Sequence, residues 1–210
     1  MKKLDMKKEF KALYSSTAKE VEFIEVPKLP FLMIDGVGEP ESHLFQNAIQ
    51  SLYALAYTLK FSFKREKQID FPVMALEGIW WMKDDSPFDI ARRSEWCWTL
   101  MTLMPSVVTK SDVKKTMKAA KEKKDLPSLG SIRMASYSEG LSAQLLHIGP
   151  YSTEAATIVR LHHAVEERNL ELHGRHHEIY LGDPRRSKPE QLKTILRHPV
   201  RRTLLPSDRK

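Results

Sequence analysis

Apolar residues recur first with strand periodicity and then with helical periodicity, and this order occurs twice along the chain. The strand-like segments of the first half are residues 21–26, 30–37, 72–82 and 93–104, with a helix through Leu59 between the second and the third. Residues 21–26 alternate apolar and acidic side chains, which is typical of an edge strand. Gly36 and Gly38 mark the turn before the helix. The first half therefore predicts strand, turn, helix, strand, strand.

The second half repeats this order. Its segments are a strand at 141–148, a helix at 152–168, a strand at 176–181, a short helix from 187 and a closing strand at 195–200. Gly149 and Pro150 interrupt the pattern before the longer helix, and Ser152 is the predicted N-cap of that helix. Ser187 and Glu190 have the spacing of a capping box. Two related halves of this kind predict an α+β fold with a groove at their seam, a common place for small ligands.

The domain prediction follows from the same pattern. Residues 1–20 form a lysine-rich leader that we expect to be poorly fixed at its start. Residues 21–210 form a single domain of two pseudo-repeats, about 21–108 and 131–203. A short exposed helix over about 110–124 joins them.

Composition limits the class of protein. The 210 residues are 41% hydrophobic and 29% charged, as in an ordinary globular protein, and the single cysteine allows no intramolecular disulfide. No signal sequence or apolar run of membrane-spanning length is present, so we predict a cytoplasmic protein without a membrane partner. The net charge of +7 is scattered, and no DNA-binding motif appears. We therefore do not expect direct nucleic-acid binding, whereas a homodimer stays open.

The four tryptophans lie close together in the sequence. Alternation places Trp96 and Trp98 on one strand face, with Cys97 on the other, and allows either Trp80 or Trp81 to join them. Clustered indoles are typical of a pocket for flat ligands, because their faces stack and their N–H groups need partners. A purely structural role in the core stays open.

Glu178 is the most informative acidic residue. Alternation separates it and Tyr180 from Ile179 and Leu181. If Ile179 and Leu181 pack under the helices, Glu178 and Tyr180 face the groove. A carboxylate among aromatic rings is poorly solvated, so we expect its pKa to rise, and it could act as a base or as a counter-charge. An exposed edge-strand glutamate is the alternative.

The sequence predicts neither a metal nor a cofactor. The histidines at 162–163, 173 and 176–177 lack the spacing of a zinc motif. Cys97 has no local partner motif that would make it a nucleophile. Gly36 and Gly38 lack the third glycine of a dinucleotide-binding loop.

Several segments carry a resemblance to a known family. They are 74–81 (MALEGIWW), 96–101 (WCWTLM), 146–151 (LHIGPY), 176–186 (HHEIYLGDPRR) and 189–200 (PEQLKTILRHPV). Together they resemble the GyrI-like domain family over about residues 21–200. The resemblance implies a duplicated β-α-β-β module of the SHS2 type, with two antiparallel-sheet halves and a ligand cleft between them. It also implies a central glutamate, at the position of Glu178, that meets cationic aromatic drugs.

Stand-alone members of the family are associated with hydrolysis of cyclopropanoid DNA-alkylating compounds, a detoxification. By this resemblance Glu178 is the catalytic base, and Tyr180 or His147 steadies a developing phenolate. The ligand-binding candidates, chosen by residue type, are Tyr57, Trp80, Trp81, Trp96, Trp98, Tyr137, His147 and His176. A metal-free hydrolase of planar electrophiles is therefore the leading hypothesis, with an aromatic small molecule as its partner.

Two other functions stay open at this point. A non-catalytic binder or sensor would use the same aromatic residues, with Glu178 as a counter-charge to a cationic ligand. A protein that protects a nucleic-acid enzyme such as gyrase would instead use the basic surface residues.

Overall fold

A computed structural model describes residues 1–89, 91–122 and 126–203 of the chain. The helices are α1 (Met6–Glu9), α2 (His43–Ser62), α3 (Lys110–Lys121) and α4 (Glu154–Glu167). The strands are β1 (Lys2–Lys3), β2 (Glu22–Val26), β3 (Leu29–Val37), β4 (Ile69–Asp70), β5 (Leu76–Met82), β6 (Trp96–Leu103), β7 (Arg133–Tyr137), β8 (Gly140–Ile148), β9 (Leu170–Leu172), β10 (His176–Tyr180) and β11 (Lys193–Arg202). The last two residues of the predicted linker helix, 123–124, and residues 204–210 of the predicted domain lie outside the described part.

The chain divides into two compact units. The first contains Met1–Lys11 and Leu29–Tyr137, and the second contains Ala12–Lys28 and the residues from Ser138 onward. Each unit combines an antiparallel sheet with helices, which confirms the predicted mixture of helices and antiparallel strands. Strand β2 groups with the second unit because it pairs with β8, whereas the sequence pattern grouped it with residues 27–108.

In the first unit the strands lie in the order β5-β6-β3-β7. Helix α2 begins where the Ser42 side chain accepts a hydrogen bond from the Phe45 N–H at 3.2 Å. This cap satisfies one of the free N–H groups of the first turn. Phe45, Leu52 and Leu59 share one face of the helix and are buried.

Trp98 fixes the position of α2 on this sheet. It lies opposite Gly36 in the pairing of β3 with β6, and its ring covers that glycine so closely that a Cβ atom would overlap it. Phe45 meets Trp98 edge to face at 5.1 Å and stacks on Trp80 at 5.6 Å. The absence of a side chain at Gly36 is therefore what lets an indole lie flat on the strand.

In the second unit the strands lie in the order β2-β8-β11-β10, and β9 pairs with the end of β11. Helix α4 covers one face of this sheet, where a buried apolar cluster forms. Its members are Ala143, Leu145, Leu161, Val165, Leu196 and Val200. Leu196 lies directly opposite Glu178 in the pairing of β10 with β11. Because opposed residues point to the same face, Glu178 is on the face that α4 covers.

The other face of the second unit carries a buried polar network. The side chains of Glu139, His177 and Arg197 are each at most 2% exposed. Glu139 binds His177 Nδ1 at 3.0 Å and accepts a hydrogen bond from Arg197 Nη1 at 3.2 Å. Arg197 also donates to the Gln144 side chain and to the carbonyl of Leu13. The network thereby joins β8, β10 and β11 to the N-terminal segment.

Burial alone would raise the pKa of Glu139. The adjacent His177 and Arg197 outweigh burial and lower the pKa of Glu139 to about 2. The carboxylate is therefore ionised over the physiological pH range, and its charge is matched by the guanidinium of Arg197.

Several local predictions need correction. The leader is not loose at its start, because Lys2–Lys3 pairs with Ile69–Asp70 and Met6 is buried. Ser152 does not cap α4; a tight turn over Tyr151–Thr153 precedes the helix, and the capping position falls on Thr153.

The Ser187–Glu190 motif does not form a capping box. The chain forms only one tight turn there, over Pro189–Gln191, and the capping position falls on Lys188, which makes no side-chain capping hydrogen bond. Strands β7 and β9 were not predicted. Strand β7 lacks a strict alternation of apolar and polar residues, and β9 has only three residues, too few for a periodic pattern to be recognised.

Candidate functional site

The predicted site residues belong to different units. Those of the first unit are Tyr57, Trp80, Trp81, Trp96, Trp98 and Tyr137, and those of the second are His147, His176, Glu178 and Tyr180. Within each unit the structure brings some of these residues together and separates others.

In the first unit, Trp80, Trp96 and Trp98 share the sheet face that α2 covers. Trp80 lies opposite Trp98, and its ring centroid is 6.2 Å from that of Trp96. Trp98 is fully buried and donates its indole N–H to the Gly38 carbonyl at 3.1 Å. Trp80 is 5% exposed. These two indoles therefore form part of the core, which is the structural role that the sequence left open.

Trp96 is half-buried at the edge of the same cluster. Its indole N–H donates to the Asp89 carbonyl at 2.8 Å, and Phe88 packs 4.9 Å from its ring. The Arg93 guanidinium lies 5.3 Å from the ring centroid, within range of a cation–π interaction. Trp96 is thus the indole of this face that retains a solvent-accessible edge.

The remaining candidates of the first unit lie apart from this cluster. Trp81 lies opposite Cys97 and is half-buried on the sheet face away from α2. Tyr57 is 48% exposed on the outer side of α2, beside Phe61. Tyr137 ends β7 opposite Leu29. The structure therefore does not bring Tyr57 to the buried tryptophans.

In the second unit, His176, Glu178 and Tyr180 lie in a row along one face of β10. The Tyr180 hydroxyl donates a hydrogen bond of 2.6 Å to Glu178 Oε2. Glu178 Oε1 is 3.3 Å from His176 Nε2, and the glutamate side chain is 15% exposed. Alternation correctly groups Glu178 with Tyr180, but α4 covers their face rather than the face of Ile179, because the buried Leu145 and Leu196 lie there.

A second carboxyl group, Glu154, lies close enough to Glu178 for their charges to interact. It is the first residue of α4 and is 6% exposed. Burial is the main cause that raises the pKa of Glu154 to about 9, and the negative charge of Glu178 adds to it. The Thr194 hydroxyl acts in the opposite direction and lowers the pKa of Glu154 in part. Its Oγ1 nevertheless has no hydrogen-bond partner of normal geometry among the described residues. Burial of Glu154 therefore favours its neutral acid form.

Tyr151 completes this group of side chains. Its ring meets that of Tyr180 edge to face at 5.7 Å, and it is 40% exposed. The second unit thus has a carboxylate, a neutral carboxyl and two phenols beside an exposed aromatic edge. Such a set can accept a proton from water or attract a cation, and it can stack on a flat ligand.

Glu154 and Tyr151 were missed as site residues. The signal that could have found them is their position directly after Gly149 and Pro150, at the start of the helix. The first turn of a helix that covers a strand face must bring its side chains to the residues of that face.

His147 has a positioning role. Its Nε2 lies 3.3 Å from the Pro150 carbonyl, which can only accept, so Nε2 carries the proton. Its Nδ1 then accepts from the Thr157 hydroxyl at 2.9 Å. Both ring nitrogens are engaged within the protein, so His147 fixes the turn before α4 and, through it, the place of Glu154.

Three imidazoles adjoin the same face. The ring centroid of His198 is 5.8 Å from that of His162 and 6.0 Å from that of His176. Burial lowers the pKa of His198 to about 3 and also lowers the pKa of His162. Across residues 1–89, 91–122 and 126–203, no group of three or more His, Cys, Asp or Glu side chains is arranged to hold a metal ion.

The antiparallel sheets, the glutamate on β10 and its phenolic partners define a small-molecule-binding domain. The sequence profile of the GyrI-like small molecule binding domain matches residues 19–201, and the chain belongs to this family. Among the helices of the described residues, none has the length and apolar character needed to cross a bilayer.

Solved structures of high similarity come from Listeria innocua. An uncharacterised conserved protein is 39% identical, with a TM-score of 0.88, and the match covers 94% of this chain and 100% of that one. A protein described as a hydrolase is 37% identical, with a TM-score of 0.84, and the match covers 94% of this chain and 100% of that one.

More distant structures share the fold alone. The C-terminal domain of EcmrR is 10% identical, with a TM-score of 0.57, and the match covers 88% of this chain and 98% of that domain. No protein with a curated description matches the sequence at a significant level.

Proposed function

We propose that the protein hydrolyses planar electrophilic small molecules, with cyclopropanoid DNA-alkylating compounds as the substrate class. The observation that carries the proposal is the 2.6 Å hydrogen bond from Tyr180 to a partly accessible Glu178 carboxylate beside a neutral Glu154. The family resemblance suggests the substrate class. The 37% identical relative described as a hydrolase supports a hydrolytic function.

The reaction needs few groups. Glu178 accepts a proton from water as the water oxygen attacks the cyclopropane carbon. A carbon–carbon bond of the ring breaks, and its electron pair moves through the dienone to the carbonyl oxygen, which becomes a phenolate. The Tyr180 hydroxyl has one proton and donates it to Glu178 in this structure, so it can stabilise that oxygen only after it turns away from Glu178. The phenolate then takes a proton from solvent and Glu178 releases one, so that the net change is addition of one water molecule.

Tyr151 is the candidate that holds the ligand ring in this unit. Its partly exposed ring lies edge to face with Tyr180, so a flat ligand can pack on it while its reactive carbon approaches Glu178. Trp81 and Trp96 are half-buried and stay candidate stacking residues of the first unit.

The test is conversion of a spiro-cyclopropyl dienone, followed by loss of its chromophore and by mass detection of product. Glu178→Gln keeps the shape of the side chain and removes the base. We expect turnover to fall at least about tenfold while binding is retained. Glu190→Gln changes an exposed glutamate and is the matched control. Equal turnover in Glu178→Gln and the control would exclude Glu178 as the base.

The second candidate function is binding without catalysis. The observation that favours it is the pairing of Glu178 with aromatic rings, an arrangement that also suits an organic cation. Tryptophan or tyrosine quenching by a planar cation, without a water adduct of any dienone, would support this alternative.

A further inference from the structure

We propose that Glu154 is a positioning residue for Glu178: its buried side chain holds a proton at neutral pH and so brings no second negative charge to Glu178. The inference rests on the proposed function in one respect, the part that the Glu154 proton plays in the reaction. The location of the proton itself can be tested without any substrate.

The burial of Glu154 favours its neutral form. The Glu154 side chain is 6% exposed, and its Oε1 has no hydrogen-bond partner among the described residues. An ionised carboxylate in such surroundings loses most of its hydration, and at Oε1 no protein donor replaces the lost water. The neutral acid avoids this cost.

The position at the start of α4 acts in the opposite direction. The N-terminus of a helix favours an adjacent anion, but this effect is modest. Desolvation of a carboxylate costs more than that. The neutral form of Glu154 therefore prevails even at the N-terminal end of a helix of 14 residues.

The charged group that acts on Glu154 is Glu178 of β10, and its negative charge opposes a second one. Tyr180 and His176 lie beside Glu178 in the same row. From β11 the uncharged Thr194 hydroxyl acts on Glu154, and on β8 both ring nitrogens of His147 are engaged with Thr157 and the Pro150 carbonyl.

The proton on Glu154 matters for the reaction. Two ionised carboxylates side by side would raise the basicity of both, and one of them would recover a proton. With Glu154 neutral, Glu178 remains free to accept a proton from water. Above the pH at which Glu154 ionises, the second charge would also repel the phenolate that develops in the ring-opening step.

The first experiment locates the proton. Infrared spectroscopy of the wild-type protein at pH 7 should show the C=O band of a protonated carboxylic acid. That band should be absent from Glu154→Gln and present in the control Glu190→Gln. A wild-type spectrum without the band, or a band that persists in Glu154→Gln, would overturn the proposal.

The second experiment tests whether the proton on Glu154 affects turnover. The turnover of the wild-type protein should decline as pH rises through about 9, and Glu154→Gln, with each turnover expressed relative to the same variant at pH 7, should lack that decline. An alkaline decline that is the same in both proteins would overturn the positioning role. If Glu154→Gln does not fold, Glu154→Asp is the second variant, and we expect the decline to shift in pH.

The two proposals fail separately. If no dienone is converted by any protein, the proposed function fails. The infrared band still decides where the proton resides, and ligand affinity over the same pH range replaces turnover as the measure of its use.

Discussion

At the scale of single residues, the candidate site of the second unit contains two carboxyl groups with different surroundings. Glu178 is partly accessible and accepts a hydrogen bond from Tyr180, whereas Glu154 is almost fully buried. Acid and base roles commonly divide in this way, since the environment rather than the residue type sets the protonation state.

The buried carboxyl predicts an unusual dependence of stability on pH. Folded Glu154 keeps its proton up to about pH 9, whereas the unfolded chain loses it near 4.5. Between these values the unfolded state binds fewer protons, so the free energy of unfolding falls as pH rises, by up to about 1.4 kcal/mol per pH unit. Glu154→Gln should therefore stabilise the protein at pH 8 more than at pH 5.

Denaturant unfolding of Glu154→Gln and the wild type at the two pH values checks this expectation. For Glu190→Gln, the difference from the wild type in the free energy of unfolding should be the same at both pH values. If Glu154→Gln also showed the same difference at pH 5 and pH 8, Glu154 would not be protonated in the folded state.

The sequence placed Glu178 and Tyr180 on one strand face but gave no indication that Glu154 lies near them. Alternation along one strand is enough to group two residues on a face. Glu154 reaches that face through the packing of a helix, and a period of 3.6 residues does not reveal which sheet face the helix covers. The same limit explains why the helix was expected on the Ile179 face.

At the scale of secondary-structure elements, one glycine determines how a helix meets its sheet. The Trp98 ring lies on Gly36, and Phe45 of α2 packs against that ring. Gly36→Ala would force Trp98 or the strand to move, and overpacking of this kind costs about 1–3 kcal/mol. We expect a loss of stability in that range, together with a changed tryptophan fluorescence spectrum.

Gly130→Ala is the matched control for this substitution. A Cβ at position 130 would meet only Lys121 Nζ, at an ordinary distance of 3.6 Å. Equal stability of the two variants would mean that Trp98 does not lie on Gly36.

The buried network of the second unit predicts a different loss. Glu139→Gln leaves Arg197 buried without its carboxylate, and removal of one partner from such a pair costs about 3–5 kcal/mol. The folded pKa of Glu139 is depressed, so its contribution is present above about pH 4.5 and declines as pH falls toward 2. The effect of the substitution should therefore shrink in acid.

Urea denaturation at pH 7 and at pH 3 measures both effects. Glu171→Gln removes the exposed partner of Arg201 and should cost less than about 1 kcal/mol. If Glu139→Gln cost no more stability than Glu171→Gln, or if its cost did not depend on pH, Glu139 would not be an ionised buried partner of Arg197.

The elements with strong apolar periodicity were predicted and the short ones were not. Residues 30–37, 141–148 and 176–181 were recognised as strands because apolar residues recur there with the period of a strand. Strand β9 has three residues and is held by its pairing with β11. Pairing between distant segments leaves little local pattern, and the leader is ordered for the same reason, through β1 and β4.

At the scale of the whole molecule, composition and motifs identified the family correctly. The family match covers residues 19–201, close to the range over which the sequence motifs occur. Those motifs include residues of both kinds, buried indoles such as Trp98 and site residues such as Glu178. Motif membership alone therefore could not separate a structural tryptophan from one that meets a ligand, because that distinction depends on burial.

The central claim is that the protein adds water to a planar electrophile at Glu178. The most direct measurement is mass analysis of the product formed from a spiro-cyclopropyl dienone in isotope-labelled water, over many turnovers. The account predicts one labelled oxygen in each product molecule, with formation slowed at least about tenfold in Glu178→Gln and unchanged in Glu190→Gln. Ligand binding without any labelled product, under conditions in which the dienone remains intact, would contradict it.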